Sequence, residues 1–171
     1  MIGVKKDEVK LVPHDPNWKE EYFNYRNELL NILGDNVIEI CHIGSTAIIG
    51  IMAKPILDIN VIVKCTNSIN FNGMKEAGYN FHGEHEIFGH LFDRKNNNDN
   101  VTHFIKCYPI NNENHIRVVK FRDFMNNYPE YVKQYNELKI KLAKEYTNNR
   151  IAYQKGKTEF IEKINKIIKD M

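Results

Sequence analysis

The chain has 171 residues, of which 42% are hydrophobic and 27% are charged, proportions that suit a globular protein with one sizeable core. Its 24 basic and 22 acidic residues leave a formal net charge of +2, which disfavours a dedicated nucleic-acid-binding protein but is compatible with a small, locally held anionic ligand. No apolar run approaches the roughly 18 residues of a membrane span, and the first residues lack the apolar segment of a signal peptide. We therefore expect one cytoplasmic domain over residues 1–171, without a membrane segment.

Three cysteines, Cys41, Cys65 and Cys107, are spaced without a CxxC motif. An odd number with this spacing predicts neither a disulfide framework nor a zinc knuckle, so we expect reduced thiols that pack as small hydrophobic groups. Cys41 is adjacent to His42 and Cys107 is near His103, which leaves a Cys/His metal site as the less favoured alternative.

The N-terminal region is predicted to be extended and then helical. Alternation in the VKLVP segment of residues 1–15 indicates an edge strand that Pro13 ends. A helix follows, with Asp15 as its N-cap and Pro16 at its first helical position, and Gly34 ends it. Its apolar stripe comprises Trp18, Tyr22, Tyr25, Leu29 and either Ile32 or Leu33.

Two strand-like runs, residues 37–43 and 56–63, enclose a turn and a segment of small residues. The turn is Gly44-Ser45-Thr46, where a glycine permits close backbone approach and the start of a short helix favours an anion. The second run carries a carboxylate, Asp58, inside an otherwise apolar sequence. A strand, a phosphate-sized turn and a strand bearing an acid are typical of metal-assisted handling of a nucleoside triphosphate. The alternative is an ordinary strand-to-helix turn.

The remaining elements predict a mixed sheet followed by helices. A short helix capped by residues 66–68 and closed by Gly78 precedes strands over 79–82, 86–94 and 101–108. The polar tract of residues 95–100 reads as a loop between the last two strands, which are therefore antiparallel neighbours. Three helices are then predicted, over residues 116–127, 129–146 and 149–171. The expected fold class is α+β, with helices packed on the sheet or on each other.

Three segments in this order, PHDPNW, HIGSTAIIGIMAKPILDI and FRDFMNNYPE, resemble the signature of the GrpB family. The similarity runs from about Val12 to the C-terminal helices and covers nearly the whole chain. It implies a nucleotidyltransferase fold related to the DNA polymerase beta superfamily. In that superfamily the matching strand usually carries two carboxylates one residue apart, both facing the metal, and a later strand supplies a third.

This chain departs from the carboxylate pattern that the resemblance implies. Asp58 is followed by Asn60, which faces the same side and offers an amide oxygen without charge. The strand over residues 101–108 contains no acid, and His103 occupies the matching position. We therefore expect one weakly held Mg²⁺ on Asp58 and Asn60 rather than a two-metal centre.

The phosphates of the ligand are expected at Gly44, Ser45 and Thr46. Lys54 and Arg122 are candidates for offsetting the phosphate charge. Each has a structural alternative, since Lys54 could simply pair with Asp58, and Arg122 with its neighbour Asp123. His42, directly before the turn, is a candidate phosphate contact or proton carrier, and equally a structural histidine.

Two functions of different class follow from these residues. The first is transfer of a nucleotidyl group from a nucleoside triphosphate to a small molecule or protein hydroxyl, with Asp58 as the catalytic metal ligand. The second is a nucleotide-binding or regulatory module that has kept the fold and lost the catalytic acids. Asn60 and the acid-free strand favour the second function or an atypical reaction. An RNA-contacting domain is disfavoured by the near-neutral charge.

Overall fold

A mixed five-stranded sheet forms the centre of the computed structural model, which describes residues 2–5 and 7–171. The strands are β1 (Val37–Ile43), β2 (Leu57–Val63), β3 (Tyr79–His85), β4 (Gly89–Lys95) and β5 (Val101–Pro109). The helices are α1 (Asn17–Leu33), α2 (Phe71–Glu76), α3 (Glu113–Asn127), α4 (Pro129–Glu145), α5 (Arg150–Gly156) and α6 (Thr158–Asp170). Among the described residues, no helix combines the length and apolarity needed to cross a membrane.

The strand order is β1-β2-β5-β4-β3, in which the β2–β5 pair is parallel and the other pairs are antiparallel. The predicted α+β class with a mixed sheet is confirmed. The two strand-like runs around the Gly-Ser turn are neighbours, as expected, and Asp58 pairs in register with Ile43 and Asn60 with Cys41. Because β5 lies beside β2, its residues Phe104 and Lys106 stand directly across from Asp58 and Asn60.

The sheet has two chemically different faces. On the back face, alternate residues of β2 and β5 such as Ile59, Val61 and Ile105 are fully buried against Leu29 of α1 and Met74 of α2. The front face is defined by the residues of the opposite parity, which are Asp58, Asn60, Phe104 and Lys106. Most of the predicted apolar stripe of α1 thus closes the back face, except Trp18, which packs in a second core, and the polar residues of β2 and β5 remain for the front.

A second core forms where α3, α4 and α6 pack on residues 44–56, the connection between β1 and β2. Ile48 and Ile51 of this connection are buried against Met125, Tyr135 and Ile164. Two asparagines also fix it through their amides, because Asn126 bonds Ile49 and Ala47, and Asn136 bonds Met52 and Gly50. The connection is therefore held rigidly by the C-terminal helices.

The N-terminal edge strand was predicted wrongly. Val4 and Val12 form only isolated bridges, to Val101 and Ala53. The prediction fails because Val9, which lies between the two bridges in the chain, packs onto helices against Leu142 and Tyr153, whereas Val4 packs against Ile56 and Val101. At the next helix, the N-cap is Pro16 rather than the predicted Asp15, so α1 begins one residue later than expected, although Asp15 accepts a hydrogen bond from the Asn17 backbone N–H at 3.0 Å.

The start of the short helix α2 also differs from the prediction. Asn70 caps it, because its side chain accepts from the Gly73 backbone N–H at 2.9 Å. Residues 66–68, the predicted cap, form a separate 3₁₀ turn (Thr66–Ser68). In the hairpin that follows, β3 extends to His85 and β4 begins at Gly89, so the predicted strand boundaries shift by three residues.

The last predicted helix, residues 149–171, is two helices. It is interrupted at Lys157, between α5 and α6. Gly156, the last residue of α5, lies so close to α4 that an added Cβ would meet Leu142 Cδ2 at 2.5 Å. The break lets α5 lie across the end of α4 while α6 returns along α3, which brings two cationic side chains over the front face of the sheet.

Candidate functional site

A cleft of about 660 Å³ opens on the front face, between β2 and β5 below and α4 and α5 above. Its apolar wall includes Phe88, Leu91 and Phe104. Its charged wall carries five cationic side chains and two carboxylates: Lys54, Lys106, Lys139, Arg150 and Lys157, with Asp7 and Asp58. Cations therefore outnumber acids, and the low-dielectric walls strengthen their combined field.

The charge of Asp58 is compensated by the neighbouring strand. Lys106 Nζ donates to Asp58 Oδ1 at 2.8 Å, and both side chains are mostly shielded from solvent. Burial alone would raise the pKa of Asp58, but Lys106, with smaller contributions from Lys54 and Arg150, lowers it below the ordinary value. Lys54, the partner expected from sequence, lies on the same cleft but does not make this ion pair.

Gly44 brings the turn into contact with the carboxylate. Its φ of +73° lies in the left-handed region that favours glycine. An added Cβ would lie 2.7 Å from Asp58 Oδ2. The glycine therefore allows both the turn and the close approach of Asp58, and the next residue, Ser45, lines the cleft together with Thr46.

Lys139 of α4 is fully buried, with 1% of its surface exposed. Its side-chain nitrogen donates to Ser45 Oγ at 3.0 Å and to the Met52 carbonyl, so it ties α4 to two points of the β1–β2 connection. Burial, with repulsion from Lys157 and Lys54, holds the pKa of Lys139 well below the usual lysine value. Because Lys139 donates to the Ser45 oxygen, the Ser45 hydroxyl hydrogen is available to a ligand oxygen.

Two other lysines of the cleft, Lys54 and Lys157, have lowered pKa values that a bound anion would raise. Burial, reinforced by repulsion from Arg150 and Lys157, lowers the pKa of Lys54 to about 7. Burial, with repulsion from Arg150 and Lys106, lowers the pKa of Lys157 to about 8, although attraction by Asp58 partly opposes this shift. An anion among these groups would favour their protonated forms, so binding an anion and taking up protons are linked.

Three predicted site residues lie away from the cleft lining. His42 points to the back face, where it stacks on Tyr22 and bonds Thr46 Oγ1 at 2.9 Å, and burial lowers its pKa to about 4. His103 is buried against Tyr25 with ring centroids 3.7 Å apart, and burial lowers its pKa to about 3. Arg122 donates to the His42 carbonyl and to Asp123, which fastens α3 to the end of β1.

The predicted metal pair is not brought together on the cleft. Asp58 faces it, whereas Asn60 is completely buried beside His115 of α3, with Nδ2 3.2 Å from His115 Nδ1. Lys106 already neutralises the carboxylate of Asp58. Asn60, which is buried beside His115, does not supply a second oxygen ligand to Mg²⁺ on the cleft. These residues do not fit a resident Mg²⁺.

Sequence reasoning missed four cationic residues of the cleft, and each carried a signal. Lys106 alternates with Phe104 on one side of β5, which marks it as a front-face residue. Lys139 interrupts the apolar stripe of α4, four residues after Tyr135 and three before Leu142. Arg150 and Lys157 are seven residues apart, which is two helical turns and therefore one helix face.

The profile of a protein family described as "GrpB protein" matches residues 8–166. The chain belongs to the GrpB family. It is 36% identical over 170 residues to the glutamate-rich protein GrpB of Alkalihalophilus pseudofirmus, which covers 96% of this chain and 98% of that protein. It is also 31% identical to the UPF0157 protein YqkA of Bacillus subtilis, where the match covers 92% of this chain but only 46% of that protein.

A solved GrpB structure has the same fold. The crystal structure of the conserved protein GrpB from Enterococcus faecalis superposes with a TM-score of 0.85 at 29% sequence identity. The superposition covers 93% of this chain and 96% of that one. The resemblance seen in the three sequence segments is thereby confirmed for the GrpB family and for a mixed α+β fold shared with a GrpB protein. The second of these segments, HIGSTAIIGIMAKPILDI, supplies Ser45, Lys54 and Asp58 to the cleft.

Proposed function

We propose that this GrpB chain binds a nucleotide through its phosphate groups in the front-face cleft, as a binding or regulatory module. The observation that carries the proposal is the convergence of five cationic side chains on one cleft that holds two carboxylates. Three of these cations, Lys54, Lys139 and Lys157, have lowered pKa values because burial and neighbouring positive charges disfavour their charged forms. A polyphosphate supplies the negative charge that such a site lacks.

The rest of the cleft suits the uncharged part of a nucleotide. Phe88 and Phe104 lie on its apolar wall, and Phe88 is 43% exposed. Lys106 Nζ lies 5.4 Å from the Phe88 ring centre, and the Arg150 guanidinium lies 5.1 Å from that of Phe104. A flat base packed on an aromatic ring with its phosphates among adjacent cations would use both walls.

A metal-dependent nucleotidyl transfer is the second candidate function, because Asp58 and Ser45 line the same cleft. Such a transfer needs a carboxylate free to act on a metal, whereas Asp58 is held by Lys106 at 2.8 Å. Nucleotide binding by the cations of the cleft does not require the Lys106–Asp58 ion pair to break. We therefore rank binding ahead of transfer.

Calorimetric titration with ATP, ADP and inorganic pyrophosphate, with Mg²⁺ and with chelator, tests the proposal. Lys54→Gln removes one cation from the cleft and should weaken triphosphate binding about tenfold, because a hydrogen bond to a charged group contributes roughly 1.5–3 kcal/mol. Lys163→Gln removes an exposed lysine of α6 outside the cleft and should leave binding unchanged. Absence of binding by all three ligands, or equal weakening by both variants, would overturn the proposal.

A further inference from the structure

A second polar cluster lies on the front face, beside α3 and apart from the residues that line the cleft. Glu39 and Cys41 alternate on β1 and therefore share a face of the strand, and His115 reaches them from the first turn of α3. We propose that Glu39, Cys41 and His115 form a binding site for a zinc-class divalent cation. This proposal does not rest on nucleotide binding.

The three side chains lie close enough together to supply ligands to one cation. Cys41 Sγ lies 3.0 Å from Glu39 Oε1, and His115 Nε2 lies 3.5 Å from Glu39 Oε2. One ligand atom from each residue can be chosen so that all three lie within 4.8 Å of one another. Zinc bonds of about 2.0–2.3 Å place neighbouring ligand atoms about 3.3–3.7 Å apart, so small side-chain adjustments suffice.

The set of donor atoms selects the class of metal. A thiolate, an imidazole and a carboxylate together suit zinc and similar transition-metal cations, whereas Mg²⁺ and Ca²⁺ prefer oxygen ligands alone. Cys41 and His115 are each 8% exposed, while the Glu39 side chain is 55% exposed. A cation can therefore enter past Glu39, and a water or ligand can complete the fourth position.

Asn60 is placed to orient the histidine. It is 0% exposed, and its Oδ1 has no hydrogen-bond partner among the described residues. Its Nδ2 lies 3.2 Å from His115 Nδ1. If the amide turns over, Oδ1 accepts a hydrogen bond from Nδ1–H of His115, and the lone pair of Nε2 is directed at Glu39 and Cys41. Such support of the far ring nitrogen is what metal-bound histidines normally have.

Metal binding at this site exchanges a proton for the cation. Burial and the hydrogen bond to Glu39 raise the pKa of Cys41 to about 12, so the metal-free residue is a thiol. Formation of the metal–sulfur bond breaks the S–H bond and releases the proton to solvent, with no change of oxidation state. Arg122 opposes the cation electrostatically, but it also favours the Cys41 thiolate through its charge and a side-chain hydrogen bond, while it donates to the His42 carbonyl and Asp123.

Titration with Co²⁺, followed by ultraviolet and visible absorption, tests the site on the purified full chain. Wild type should bind one Co²⁺ with a thiolate-to-cobalt charge-transfer band, and Zn²⁺ should displace it. Cys41→Ser should abolish the band. Cys65→Ser is the matched control, because Cys65 is an exposed thiol outside the cluster, and it should retain the band.

Glu39→Gln provides a second variant that preserves the fold, since the side chain is more than half exposed. It should weaken Co²⁺ and Zn²⁺ about tenfold or more while circular dichroism and thermal unfolding of the metal-free protein stay near wild type. The proposal is overturned if wild type shows no thiolate band with excess Co²⁺, if Cys65→Ser removes the band, or if Glu39→Gln binds both cations as wild type does. Nucleotide affinity measured on the same proteins is a separate readout, so failure here is distinguishable from failure of the cleft.

Discussion

Lys106 reaches Asp58 from the adjacent parallel strand and holds its carboxylate in a 2.8 Å ion pair. Lys106 pairs in register with Asn60, two residue pairs beyond the Asp58–Phe104 pair, so its side chain leans back along the strand to reach Asp58. The acid on β2 therefore faces a lysine on β5. Because the pair neutralises Asp58, the other cationic side chains of the cleft remain in excess, as the proposed anion binding requires.

The contact between Gly44 and Asp58 predicts an unusually costly glycine substitution. Gly44→Ala forces a side chain into a positive-φ position and against Asp58 Oδ2, and should lower the free energy of unfolding by about 2–4 kcal/mol. Gly50→Ala is the control, because Gly50 has a similar φ of +75° but no atom within 4 Å of an added Cβ. It should cost only about 1 kcal/mol. Equal losses of stability in urea denaturation would mean that the Asp58 contact is not significant.

The fold was largely predictable from the sequence because its main signals are local. The apolar runs of β1 and β2, the stripe of α1 and the turn between the strands each follow from neighbouring residues. The same patterns placed Ser45 and Asp58 correctly on one cleft. Where the prediction failed, at the N-terminal bridges to Val101 and Ala53, the outcome depended on packing between distant segments.

The composition of the cleft was much less predictable, because it depends on non-local pairing. Lys106 reaches Asp58 only because β5 lies parallel beside β2. Lys139 reaches Ser45 only because α4 packs on the β1–β2 connection. Asn60 and Asp58 were expected to act together because they share a face of one strand. They are separated because α3 covers Asn60 with His115 and leaves Asp58 open to the cleft.

The lowered lysine pKa values predict a pH dependence that can be measured with sulfate, which does not titrate near neutrality. Lys54 and Lys157 have pKa values of about 7 and about 8 and attract an anion only when protonated. Sulfate affinity should therefore fall about tenfold between about pH 6 and about pH 9. Lys54→Gln should flatten this dependence and Lys163→Gln should not. A wild-type affinity that is constant or rises with pH would contradict these assignments.

In the ligand-free protein, Lys54 and Lys157 should make the free energy of unfolding rise with pH, whereas sulfate affinity should fall. Lysines in the unfolded chain have a pKa of about 10.4. Between about pH 7 and about pH 10.4 the unfolded state therefore binds more protons than the folded state. The contribution of Lys54 and Lys157 to the free energy of unfolding therefore rises with pH across this window. Denaturation curves for wild type and Lys54→Gln at several pH values isolate the Lys54 contribution.

Triphosphate affinity of wild type and Asp58→Asn, measured by calorimetry with Mg²⁺ and with chelator, tests the central claim most directly. If the cleft binds phosphates through its cations, wild type binds ATP in chelator nearly as well as in Mg²⁺. Asp58→Asn then binds ATP several-fold more tightly, because it removes a repelling charge and frees Lys106 for the ligand. Binding that requires Mg²⁺ and is lost in Asp58→Asn would contradict this account and favour a metal-dependent transferase.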